Sequence, residues 1–158
     1  MIEEPPTKEL RATTPVDELE AVLATMPGIE FPLVHTFTPG IYVRQIFMPA
    51  GSLLTSMEHK TEHPFIVISG MVDVMTAEGT ETYVGPYMGI TKPGTKRILY
   101  THTDTVWITI HANHENIEDP EKIGESILEP NTNPLLSENH PRLNGWREQQ
   151  KEQISWHG

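Results

Sequence analysis

Between residues 41 and 111 the chain alternates apolar and polar positions in short runs, each closed by a glycine or proline turn. Ile41 to Met48 reads as a strand between Pro39-Gly40 and Pro49-Ala50-Gly51. Ser52 to Met57 is a second, more polar one, and Phe65 to Ser69 a third, rich in β-branched residues and closed by Gly70. Met71 to Met75, Thr80 to Val84, Met88 to Thr91, Arg97 to Thr101 and Thr105 to His111 complete the set, with turns at Glu78-Gly79, Gly85-Pro86 and Pro93-Gly94. Strands this short and this regularly spaced predict an antiparallel sandwich or barrel.

The pattern changes at both ends. Residues 1–13 are acidic and aperiodic and read as an arm. Thr14 then suits a helix cap, Pro15 the first turn, and Asp17 the third position of a capping box. Leu19, Val22, Leu23 and Met26 fall on one face of that helix, and Pro27-Gly28 ends it. Beyond His111, Asp119 caps a second helix with Pro120 first and an apolar stripe of Ile123, Ile127 and Leu128. Residues 129–145 read as an extended connector, and 146–156 as a short helix bearing Trp146, Ile154 and Trp156. The chain thus divides into an arm and helix (1–30), a barrel (31–114), and a helix with a tail (115–158).

Composition narrows the chemistry. With no cysteine, a metal must be held by His, Asp, Glu or water, or weakly by Met. A net charge of −11 offers no basic stripe for phosphates, so no nucleic-acid partner is expected, and it disfavours anionic membranes. No apolar run reaches membrane-span length and the N-terminus shows no secretory signal, so the expected location is the cytoplasm.

The candidate chemistry centres on His59 and His63. Pro64 and the run Phe65-Ile66-Val67-Ile68 argue against a helix there. On one straight strand the two would stand about 13 Å apart, too far for one ion, so they converge only if the chain turns across Lys60-Thr61-Glu62. Near the end of the last strand, Trp107, Thr109 and His111 share one parity and Val106, Ile108 and Ile110 the other. The aliphatic set is the natural core face. If the Trp107 set faces inward instead, His111 completes a trio with His59 and His63. His102 is a weaker third ligand, and Glu62 is either a ligand, a base or a solvent-exposed neighbour of Lys60.

These motifs carry a resemblance. The stretch 38–113 resembles the cupin family, whose first motif runs glycine, His-x-His, glutamate, glycine. Gly51 matches the opening glycine, His59 the second histidine and Gly70 the closing glycine, while Met57 stands in the first histidine slot and His63 in that of the glutamate. Pro93-Gly94-Thr95 matches the turn of the second motif, with Arg97 in its histidine slot and Thr101 in its asparagine slot. His-Lys-Thr-Glu-His, Pro-Gly-Thr-Lys-Arg and Thr-Ile-His-Ala also look like a small cupin subgroup carried by bacteriophages, of undefined function. The resemblance implies a mainly β fold, a single antiparallel jelly-roll barrel with short terminal helices and extended arms.

Two functions follow as expectations. One is a divalent transition metal (Zn, Fe, Ni or Mn) at His59, His63 and His111, with Arg97, Tyr100 and Met57 around a small ligand. Arg97 has a second expected role, pairing with an acidic neighbour. The other is a non-catalytic assembly protein of the virion whose arms bind neighbouring subunits. Partners would be further copies of the chain, as a dimer or higher homo-oligomer, or other phage structural proteins. No reaction is assigned.

Overall fold

The computed structural model describes residues 12–136. The arm before residue 12 and the expected helix over 146–156 lie outside them. Nine strands form two antiparallel sheets: β1 (Leu33–Thr38), β2 (Gly40–Met48), β3 (Leu53–Thr55), β4 (His63–Ser69), β5 (Met71–Thr76), β6 (Gly79–Val84), β7 (Tyr87–Thr91), β8 (Ile98–Thr101) and β9 (Thr105–Asn113). One sheet runs β1-β2-β9-β4-β7, the other β3-β8-β5-β6. The pairing is nested: β2 with β9, β3 with β8, β4 with β7, β5 with β6. A long hairpin rolled on itself gives this order, and the result is the jelly roll that the resemblance implies. Eight of the strands fall where the turn signals put them.

The ninth, β1, is an addition. It pairs with β2 from Thr38↔Ile41 outward, so Pro39-Gly40 is a two-residue hairpin loop rather than a mere boundary. Gly40 takes φ 77°, and Pro followed by a left-handed Gly is the type II signature. Gly70, between β4 and β5, has φ 99°, and a Cβ there would strike the Asp104 carbonyl and Thr105. No other residue satisfies both demands.

The helix α1 (Pro15–Leu23) starts as expected: the Thr14 hydroxyl accepts from the Asp17 amide, and the Asp17 carboxylate accepts from the Thr14 amide. Its buried face differs from the expected one. Val22 and Met26 are exposed, whereas Val16, Asp17 and Glu20 are buried. The reason is electrostatic. Lys96 Nζ lies 2.8 Å from Glu20 Oε1 and 3.4 Å from Asp17 Oδ1, and Asn131 and Asn133 also donate to Glu20. Burial pushes the Glu20 carboxyl up, but these donors together hold it below the usual range. Polar matching, not an apolar stripe, docks α1.

The barrel is filled at one end by Met48, Phe65, Val67, Val72, Val74, Leu99 and Trp107. The other end is closed by α2 (Pro120–Ile127), capped by Asp119, whose Ile123 and Ile127 pack with Leu128 on Tyr42. The polar chemistry lies between these two plugs.

The parity of β9 is opposite to the core-face expectation. Thr105, Trp107, Thr109, His111 and Asn113 are buried, while Val106, Ile108 and Ile110 lie on the outer face. The same outer face of the five-stranded sheet carries Ile41, Ile66, Ile68, Met88 and Ile90. Among the described residues no charged side chain takes that parity on its five strands, and Met88 and Ile90 are 68% and 53% exposed.

Candidate metal centre

Each of the three histidines arrives by a different route. His63 is the first residue of β4 and His111 lies near the end of β9, both on the inward parity and both 2% exposed. His59 is on the connection between β3 and β4, and the chain does turn after Lys60. Its backbone is held from two sides. Gly94 N–H donates to the His59 carbonyl at 3.0 Å, so the Pro93-Gly94 turn braces it. His59 also bridges Leu128 just beyond α2, with Lys60 N–H bonded to the Ile127 carbonyl and Glu129 N–H to that of Glu58.

The rings meet. Centroids are 4.4 Å apart for His59–His63, 4.4 Å for His63–His111 and 5.4 Å for His59–His111. One nitrogen from each lies within 4.8 Å of the others. Ligands about 2.1 Å from a tetrahedral ion stand roughly 3.4 Å apart, a contraction that small rotations of the rings supply.

Protonation suits that role. His63 Nδ1 lies 3.1 Å from the Thr61 carbonyl, so it carries the proton and leaves Nε2 with a lone pair. His111 Nε2 lies 2.8 Å from Thr109 Oγ1. The opposite atoms, His63 Nε2 and His111 Nδ1, are buried without a partner, as is His59 Nδ1. Burial pushes His59 down to about 2, helped by His63, His111, Arg44 and Arg97. His111 falls to about 3 through burial, His63 and Arg44. Burial and Arg97 also lower His63, although its bond to the Thr61 carbonyl pulls the other way. All three rings are therefore neutral at pH 7, the form that binds metals. Buried nitrogens left without hydrogen bonds are costly, and a shared cation would satisfy them together.

The walls are aromatic and basic. Tyr42 stacks on His111, its hydroxyl 2.6 Å from His35 Nδ1. Arg97 is buried over Phe65 and Trp107 and bonds to Thr91 Oγ1. It has no acidic partner among the described residues, contrary to one of its two expected roles. Gly89 makes room for the Phe65 ring, which a Cβ there would meet at 2.6 Å.

Other expected site residues lie elsewhere. Tyr100 is on β8 at the outward parity, 38% exposed, edge-on to His102. His102 pairs with Asp73 at 2.8 Å on the same outer surface. Met57 packs against the cluster of Tyr42, Ile123, Ile127 and Leu128. Glu62 is exposed and pairs with Lys92. Arg44 was not among the expected residues. Its signal was parity, since it sits two residues from Tyr42 on β2, but both faces of that strand are apolar enough to hide which one is inside.

No family model matches the sequence, and neither does any curated protein. Solved structures are similar to it. A cupin-2 domain protein from Shewanella frigidimarina is 10% identical over 56% of this chain and 87% of its own, with a TM-score of 0.46. A Neisseria meningitidis protein is 10% identical over 65% of this chain and 100% of its own, with a TM-score of 0.46. The DMSP lyase DddQ from Ruegeria pomeroyi is 11% identical over 53% of this chain and 47% of its own, with a TM-score of 0.47. Likeness of this degree speaks to no reaction or substrate. No helix among the described residues is long and apolar enough to cross a membrane.

Proposed function

We propose that the chain is a small metal-binding protein of cupin type, holding one divalent transition ion through His59, His63 and His111. The observation that carries this reading is the set of three neutral imidazoles, two buried and that of His59 half-buried, each with a buried unpartnered nitrogen, drawn together from three chain segments. Three histidines leave coordination positions open, and an ion held so acts as a Lewis acid toward an oxygen ligand or a bound water. The chain's own part is to fix the ring orientations through Thr61 and Thr109 and to exclude bulk water with Tyr42 and α2. Metal analysis of protein purified without chelators tests it. About one equivalent of Zn, Fe, Ni or Mn is expected, falling to background in His63→Ala; less than about a tenth of an equivalent in the parent protein would sink it.

The uncharged aliphatic face supports self-association through that sheet. Five strands about 4.8 Å apart and about six residues long project roughly 500 Å², more in accessible area, near the about 800 Å² per partner of a standard interface. A second copy is the occupant that fits, because a charge-free face is complementary to itself. Sedimentation should give twice the chain mass, and a monomer at micromolar concentration would refute this. The assembly reading, a phage-type virion protein whose arms bind neighbouring subunits, requires species larger than a dimer in that measurement.

A further inference from the structure

Two guanidinium groups share the barrel interior with the histidines, and neither is paired with a carboxylate among the described residues. Arg44 follows Tyr42 on the inward parity of β2, and its Nε is buried without a partner. Arg97 is 7% exposed, with Cζ 5.3 Å from the Phe65 ring centroid and 5.4 Å from that of Trp107. Its Nη2 donates to Thr91 Oγ1 at 2.8 Å, yet its Nε is also buried and unpartnered. Both guanidinium charges disfavour protonation of the imidazoles: both lower His59, Arg44 lowers His111 and Arg97 lowers His63.

A buried, unpaired cation is strongly unfavourable. Ring faces offset part of that for Arg97, while Arg44 shows no such contact. Among the described residues no buried carboxylate lies there: the buried ones are Asp17 and Glu20, and both are engaged by Lys96 under α1. Neutral histidines and two arginines leave the interior doubly positive, and a divalent ion would double that imbalance. Arginine stays charged under any of these conditions. What the interior lacks is an anion.

We propose that Arg44 and Arg97 form a two-point clamp for a small organic acid, holding its carboxylate inside the barrel beside the three histidines. This deepens the metal reading by naming the ligand class, but the clamp itself needs no metal. Guanidinium forks match carboxylates in bidentate fashion. Phe65 and Trp107, over which Arg97 lies, would give the ligand's carbon skeleton an apolar surface.

The test is calorimetric titration of the full-length protein, stripped with a chelating resin, with malonate, oxalate and inorganic phosphate in separate arms. Saturable binding of malonate or oxalate at one site is expected. It should weaken at least about tenfold in Arg44→Gln and in Arg97→Gln. Because Arg97 also packs in the core, Arg97→Lys keeps the charge while losing the fork and should show the same direction in a folded protein. Malonate binding by the stripped protein reads the clamp and metal content of the unstripped protein reads the metal centre, which separates failure of the one from failure of the other. Absence of binding to either dicarboxylate up to about 20 mM, binding of phosphate alone, or equal affinity in the Arg44→Gln and parent proteins would each overturn the clamp.

Discussion

The two faces of the five-stranded sheet are built to opposite rules. The inner face presents His63, Thr91, Arg44, Thr109 and His111 between plugs of aromatic and aliphatic residues. The outer face presents mostly isoleucine, valine and methionine, with Thr36, Thr38 and Gln45 the polar exceptions and no charge on its five strands. In an antiparallel sheet with one wet side, apolar residues face the core and polar ones the water. Here the inside carries the ionisable groups and the outside the hydrocarbon. Period-2 alternation separates two faces but does not say which is inside. The inversion puts the three histidines inside the barrel and leaves an uncharged sheet face outside.

The sharpest way to break this contrast is a pair of neighbours on β9. Trp107→Ala removes an inward ring from the core and should cost about 3–5 kcal/mol in denaturant unfolding. Ile108→Ala, one residue away on the outer face, should cost under about 1 kcal/mol when measured on dilute monomer. Equal costs would mean that the faces are assigned wrongly.

His63→Ala comes next in size. Loss of an outer-shell partner costs about 10–100-fold in metal affinity, so loss of a ligand should exceed about 100-fold in equilibrium dialysis. The inner face also predicts an acid response. The folded values of His59 and His111, about 2 and about 3, lie below the ordinary 6.5 of the unfolded chain. The unfolded state therefore binds more protons in that window. Stability of the metal-free protein is complete above about pH 6.5 and falls as pH drops toward 3, by up to about 1.4 kcal/mol per pH unit per imidazole. Urea midpoints at a series of pH values check the slope. His59→Gln should flatten it, and a flat profile in the parent would show the rings exposed.

Smaller effects sharpen the outer side. Ile108→Glu should halve the sedimenting mass while leaving the metal content unchanged. Tyr100→Ala should change stability by no more than about 0.5 kcal/mol and metal content not at all, as its outward place on β8 requires.

The fold was legible because turns punctuate it. Pro49-Ala50-Gly51, Gly70, Glu78-Gly79, Gly85-Pro86 and Pro93-Gly94 mark the strand ends, and eight strands follow from them. Convergence of His59 and His63 was legible for a different reason: Pro64 and the β-branched run exclude a helix, and the spacing then demands a turn. What was hidden depended on contacts distant in sequence. β1 is hidden because Pro39-Gly40 suits a strand end and a hairpin loop alike, and only pairing with β2 decides between them. The buried side of α1 is hidden because Lys96 and Asn133, far along the chain, decide it. Arg44, Tyr100 and Met57 turn on which side of a strand is inside, and only the packed barrel answers that.

One ligand of the trio is mounted unlike the others. His63 and His111 sit in strands paired on both flanks, whereas His59 rides a connection latched to the 127–129 stretch and to Gly94 by a handful of backbone bonds. Unzipping that latch opens the trio from one side while the sheets stay closed. The residence time of anything bound there is then set by the grip of residues 127–129, so Glu129→Pro, which removes the N–H bonded to the Glu58 carbonyl, should quicken release with no change to the three imidazoles themselves.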